Sequence, residues 1–333
     1  YDVFEKIHAN ENQTIDEKEF IKARLFDMLI GDWDRHQDQW RWLEFKENDK
    51  IVFKPLPRDR DQAFSIMSDG FMLSAAVELI PMAKILRKYN DDLVDVKGFN
   101  LEPFPLDKAF ISHLNEEDWK EQVAFIQNNI TNEVIDEAFS NIPTELNNET
   151  ITKIKNTLKS RKNNLQKIAN RYFNLVSKYA VLTGTNKKDH FTIKSLENNE
   201  VEVAIQRKKK EGISEPYFKA VYKANITKEI WLYGLDDDDT FETIGKINKI
   251  KIRIIGGQNN DNYIVPNGKN VVIYDHKTKK NDVSLAKDAR VKLSDSYDIN
   301  TYDFKKIKNH QNQFIPVLGA NPDDGLKIGF NNK

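Results

Sequence analysis

The spacing of apolar residues changes period once along the chain, near residue 183. Up to Lys178 the spacing is helical, and after Thr183 it alternates as in strands. In the first part, Phe20, Ile21, Leu25, Phe26, Met28 and Leu29 fall on one stripe that ends at Gly31, which predicts a buried helix over 17–30 with a glycine stop. Residues 40–45 and 51–54 alternate around the polar run Glu47-Asn48-Asp49-Lys50, the pattern of a β-hairpin. Further helices are predicted over 72–89, 116–129, 132–139 and 149–179. The last carries Ile151, Ile154, Leu158, Leu165, Ile168, Tyr172, Leu175 and Val176 at mixed three-and-four spacing. Its lysines and arginines fall elsewhere on the wheel, so the stripe faces a core and the basic side faces water.

In the second part, strands are predicted over 191–193, 201–205, 218–222, 229–233, 250–255 and 271–274. A repeat runs through them: Gly184-x4-Asp189-x-Phe191, Gly234-x4-Asp239-x-Phe241 and Gly256-x4-Asp261-x-Tyr263. A recurring strand, glycine turn and inward aromatic predicts stacked coils of a β-solenoid or a sandwich-like array. The expected fold is therefore α+β: a mainly helical domain over 1–183, a β-repeat domain over 184–320, and a tail over 321–333. Two domains also suit 333 residues at about 150 per domain.

Charge narrows the partners. The 51 basic residues nearly cancel the 52 acidic ones, so no broad basic face for nucleic acid is expected, and Arg207-Lys208-Lys209-Lys210 reads as a solvated loop. No apolar run approaches the ~20 residues that cross a bilayer, and no signal peptide is present. Cysteine is absent, which excludes disulfides and thiolate metal sites. That absence fits a reducing cytosol and a thiol-free export route equally.

Candidate chemistry lies in two acidic loops. The stretch from Met28 to Arg41 contains Gly31-Asp32-Trp33-Asp34-Arg35-His36, and the hairpin returns the chain to Pro57-Arg58-Asp59-Arg60-Asp61-Gln62-Ala63-Phe64. Helix, loop, hairpin and Asp loop in this order resemble the C-terminal lobe of atypical protein-kinase-like enzymes, such as phosphatidylinositol kinases, HipA-type toxin kinases, CotH spore-coat kinases and secreted Golgi casein kinases. The resemblance implies Mg²⁺ and ATP. It places Asp34 at the acceptor hydroxyl, Asp59 or Asp61 on the metal, and Arg35 or Arg58 on phosphate. Gln39 stands where these families carry a metal-binding Asn, and its extra methylene displaces the oxygen. No glycine-rich strand-turn-strand or phosphate lysine precedes the loop. The chain also begins without Met, so it is expected to be part of a longer protein and to show no turnover alone. A structural reading stays open, with the acids as turn and helix-end acceptors paired to Arg35, Arg41, Arg58 and Arg60 in a buried network. The block Gly31 to Arg35 also superficially resembles the G-D-x-x-D-R of dinuclear metallophosphoesterases, but the D-x-H and G-N-H-[DE] ligands of that family are missing.

The β-part carries two further resemblances. Gly256-Gly257-Gln258-Asn259-Asn260-Asp261-Asn262-Tyr263 resembles the calcium nonapeptide G-G-x-G-x-D-x-U-x, with an echo in Gly234 to Phe241. It makes Asp236, Asp238, Asp239, Asn259 and Asp261 candidate Ca²⁺ donors, against an ion-free glycine–asparagine turn ladder. The segments 233–241, 255–257 and 321–330, together with the two acidic loops, resemble the C-terminal parts of exported metallophosphoesterase-like proteins of Bacteroidetes. That resemblance implies a position between a phosphoesterase domain and an outer-membrane barrel, on the periplasmic or cell-surface side. Two functions follow: a kinase-like metal and phosphate site, or a non-catalytic scaffold joining neighbouring domains.

Overall fold

The structure, a computed structural model, describes residues 2–66, 77, 81–306, 314–321 and 325–332. The chain is α+β. Its first part packs helices α1 (Asp2–Ala9), α2 (Glu17–Ile30), α3 (Phe104–Ile111), α4 (Glu116–Asn129), α5 (Asn132–Ser140) and α6 (Glu149–Val176) with a small sheet of β1 (Gln13–Ile15), β2 (Trp40–Glu47) and β3 (Lys50–Pro57). Strand β3 lies between the other two, antiparallel to β2 and parallel to β1. Helix α2 is central. Asp16 caps it by accepting the Glu19 amide at 3.0 Å. Phe20, Ile21, Leu25, Met28 and Leu29 are fully buried in one core with Trp119, Leu165, Ile168 and Tyr172. Gly31 ends it in the left-handed region at φ 78°, where a Cβ would stand 2.6 Å from the Tyr89 ring.

The helices expected over 17–30, 116–129, 132–139 and 149–179 form, the last ending at Val176, and so does the hairpin. Of the helix expected over 72–89, residues 72–76 and 78–80 lie outside the described residues, and the described end does not form an α-helix. Its described end, Pro81–Leu86, is a 3-10 turn. The change to strand occurs at β4 (Tyr179–Thr183), a few residues before the expected boundary.

From Tyr179 the chain passes alternately through two sheets. The first, all parallel, contains β4, β8 (Glu229–Leu235), β10 (Lys251–Gly257), β12 (Val271–Asp275) and β13 (Arg290–Leu293). The second contains β5 (Asp189–Ser195), β9 (Thr240–Ile244) and β11 (Asn262–Ile264) in parallel, and is extended beyond β5 by the antiparallel pair β6 (Glu200–Lys209) and β7 (Gly212–Lys223). Ala180 pairs with Ile230, Ile230 with Ile252, and Ile252 with Val271. Across the second sheet Phe191 pairs with Phe241, and Phe241 with Tyr263. One buried core lies between the sheets.

The repeat builds the corner between the sheets. The aromatics stack, Phe191 on Phe241 at 4.6 Å and Phe241 on Tyr263 at 5.4 Å between ring centres. Asp239 and Asp261 each accept the amide of the counterpart one pass earlier, and Asn281 takes the last place: Asp189 N–H donates to Asp239 at 2.7 Å, Asp239 N–H to Asp261 at 2.8 Å, and Asp261 N–H to Asn281 at 2.8 Å. The other carboxyl oxygen occupies the space where a glycine side chain would begin, which explains the glycine. A Cβ on Gly234 would lie 2.3 Å from Asp239 Oδ2 and 2.2 Å from the Gly256 carbonyl. A hairpin of β14 (Phe314–Asn321) and β15 (Gly325–Asn332) follows, so strand structure begins ahead of the expected tail.

Gly234→Ala is expected to destabilise the chain by about 3 kcal/mol, because backbone on the next pass cannot yield to the methyl. The urea midpoint followed by circular dichroism checks this, and an unchanged midpoint would reject the corner geometry.

Candidate functional site

The end of α2, the loop 31–36 and the loop 58–64 meet around one guanidinium. Arg35 is fully buried. It grips Asp27 with two parallel bonds, Nε to Oδ2 at 2.9 Å and Nη2 to Oδ1 at 3.0 Å, and reaches Asp32 at 2.5 Å. Its two Nη1 protons go to the carbonyl of Arg58 and to Gln39 Oε1 at 3.3 Å, and Nη2, shared among three acceptors, also lies 2.9 Å from the Asp59 carbonyl. A second buried arginine, Arg24, binds Asp27 at 2.8 Å, Asp107 at 3.0 Å and Asn100 at 2.5 Å. Tyr172 donates to Asp107, and Arg60 Nε stands 3.6 Å from Asp27. Three guanidiniums thus face the three carboxylates Asp27, Asp32 and Asp107. Burial, then the neighbouring Asp27, pushes Asp32 up to about 6. Burial opposes the charge on Arg24, but Asp107 and Asp27 outweigh it and raise its pKa.

The two loops are therefore adjacent, as the order of elements predicted, and the Phe64 amide adds a bond to the Ile30 carbonyl at 2.9 Å. The candidate residues divide into two groups. Arg35 and Gln39 are interior, Gln39 with its oxygen turned onto the Arg35 cation. Asp59, Asp61 and Arg58 are exposed and Asp34 is half-buried. Asp59, at φ 58°, accepts the Asp61 amide at 3.2 Å, and Asp61 accepts Gln62 Nε2 at 3.2 Å. Asp34 makes no hydrogen bond or ion pair among the described residues.

Two of the residues assigned to a kinase-like Mg²⁺ and ATP site are already committed within the protein. Gln39 offers its oxygen to a protein cation, Arg35 is committed to Asp27 and two carbonyls, and among the described residues no group of three His, Asp or Glu side chains could hold a metal. The chain matches no family model, no curated protein and no solved structure. Its function must be read from its own geometry.

The calcium candidates make hydrogen bonds within the protein, although Asp239 Oδ2 and Asp261 Oδ2 have no hydrogen-bond partner among the described residues. Asp239 and Asp261 are the buried corner residues. Asp236 accepts Asn259 Nδ2 at 2.6 Å, and Asp238 takes Lys188 Nζ at 2.9 Å and the Asn260 amide at 3.2 Å. Burial, then the neighbouring Asp275, pushes Asp261 up to about 8. Burial, then Asp261, raises Asp239 well above the carboxylate range. Both shifts favour the uncharged carboxyl over the carboxylate at this corner.

Asp27, Arg24, Asp107, Asn100 and Tyr172 were not among the sequence candidates. One signal was available: Arg24 and Asp27 interrupt the apolar stripe of α2 at core positions, and a charge there requires a buried partner.

Arg35→Met should cost about 3–5 kcal/mol, since Asp27 and Asp32 lose their main cation inside the core. Asp34→Ala should stay within about 0.5 kcal/mol. Urea melts of both variants check the contrast, and equal losses would contradict it. The ladder predicts a pH effect. Asp261 titrates near 4 unfolded and about 8 folded, so its contribution is complete below about 4 and is lost as pH rises through 8. Stability should fall between pH 5 and pH 9. Asp261→Asn, which keeps an acceptor for the Asp239 amide, should flatten that fall, and an unaltered slope would disprove the assignment.

Proposed function

We propose that this chain is a non-catalytic scaffold of the bacterial cell envelope, holding neighbouring domains of a longer protein in fixed relation. The observation that carries this reading is the Arg35 clamp: the conspicuous Asp-Arg motif places its arginine in the core as a structural cation. The helical part then resembles a kinase C-lobe in order of elements, with the loop pair retained as a folding unit, and the β-part is a β-solenoid. Parallel register from pass to pass and the stacked corner aromatics support the solenoid. Among the described residues no helix is long and apolar enough to cross a membrane. The resemblance to exported metallophosphoesterase-like proteins suggests the neighbours, a phosphoesterase domain on one side and an outer-membrane barrel on the other. It also suggests the place, the periplasmic or cell-surface side of the outer membrane.

One observation favours a second reading, a kinase-like phosphotransferase half-site. The clamp sets the two loops side by side yet leaves Asp34, Asp59 and Asp61 outside the buried network.

Titration calorimetry with Mg²⁺ and ATP separates the readings. The scaffold predicts no heat of binding for the chain or for its Asp34→Ala and Asp59→Ala variants. Metal-dependent nucleotide binding that disappears in Asp59→Ala would replace the scaffold with the phosphotransferase.

A further inference from the structure

Strand β2 forms an open edge of its sheet. It pairs with β3 in one unbroken register from Trp40 opposite Pro57 to Glu47 opposite Lys50, and the Arg58 amide donates to the Gln39 carbonyl at 2.7 Å. Backbone groups alternate along an antiparallel pair, so the odd-numbered residues of β2 bond to β3 and the N–H and C=O of Trp42, Glu44 and Lys46 face outward. Among the described residues no strand takes them. Such an edge accepts a further strand unless a proline, a bulge or a cover prevents it. The edge strand β7 has Pro216 and shifts of register against β6; β2 has neither proline nor bulge, and its outer residues are exposed.

The side chains decide which strand fits. On its outer face β2 presents Arg41, Leu43, Phe45 and Glu47, a cation at one end, an anion at the other and two apolar groups between. Leu43 is 45% exposed and Phe45 43%. A second β2 laid antiparallel about a two-fold axis at Glu44 sets Arg41 opposite the partner's Glu47 and Leu43 opposite the partner's Phe45, each contact occurring twice. On the inner face it brings the exposed Lys46 beside the partner's Trp42. Glu44 meets its own copy at the axis, but Lys6 already holds it at 2.9 Å, so two ion pairs adjoin there and not two bare carboxylates. Glu47 Oε1 takes Lys54 of its own chain at 3.0 Å, which leaves Oε2 for the partner's Arg41. A shift of two residues either way sets Arg41 against Phe45 or Leu43 against Glu47, and the match is lost.

We propose that β2 pairs antiparallel with β2 of a second copy of this chain, joining the two small sheets into one across a two-fold axis at Glu44. A single strand pair buries less than the ~1,600 Å² of a standard interface, so the dimer is weak and reversible. The pairing is independent of the Arg35 clamp and of either reading above.

The test is sedimentation velocity on the full chain at rising concentration. Wild type should show a concentration-dependent dimer. Arg41→Glu and Glu47→Arg each set like charges opposite one another at both ends of the pair, and each variant alone should dissociate about tenfold more readily. An equimolar mixture of the two variants restores opposite charges at both ends and should recover the wild-type dimer. Both positions are exposed, and circular dichroism checks that the variants fold. A wild type that stays monomeric at every concentration would overturn the proposal and leave the edge to a different strand. A dimer that neither variant weakens, or that mixing does not recover, would overturn it by placing the contact elsewhere.

Discussion

A charged group removed from water must find its counter-charges within a few ångströms, and in this chain that demand falls on Arg35 and Asp27. Asp27 lies in the last turn of α2 and Arg35 lies beyond the glycine stop, so their pairing folds the loop back against the helix end. Nη1 of Arg35 then captures the carbonyl of Arg58 and Nη2 lies against that of Asp59, which fixes where the hairpin must return. Pairs of this kind add little net stability compared with a well-packed apolar substitute, because desolvation offsets attraction. Their effect is to make other arrangements costly, since any alternative path for the loop strands a carboxylate in the core.

The same reasoning extends through Arg24 to Asp107, Asn100 and Tyr172, and so joins α2 to α3 and α6. Helix α3 and α6 in turn hold the β-part. Lys108 reaches the Val176 carbonyl at 2.7 Å, and Ser112 accepts the Val181 amide at 3.1 Å, at the start of the first strand pass. The polar contacts thus run from one buried acid to the seam between the two kinds of structure.

What was legible in the sequence was local. Helix α2, the hairpin and α4 to α6 declare themselves by period, and the Gly-x4-Asp-x-aromatic repeat declares stacking. Strand β1 has only three residues, too few to show a period, and α3 begins with prolines at 103 and 105 that read as a break. The role of Arg35 was among the open alternatives, but its further partners were not legible, because Asp107 lies far from Arg24 along the chain and no spacing rule connects them. For the aspartates of the repeat, spacing alone left two directions open, toward an ion or toward the next pass. The amide that each of Asp239 and Asp261 accepts belongs to a neighbouring pass, out of reach of any spacing rule.

That amide gives the corner ladder a polarity. Asp239 and Asp261 each hold the pass before, and the series closes on Asn281, an amide in place of a carboxyl. The hydrogen bonds form links in series, each joining only adjacent passes. Tension applied at the C-terminal end would therefore load the Asn281 link first and reach the others in turn, so the β-part would yield by peeling, one pass at a time.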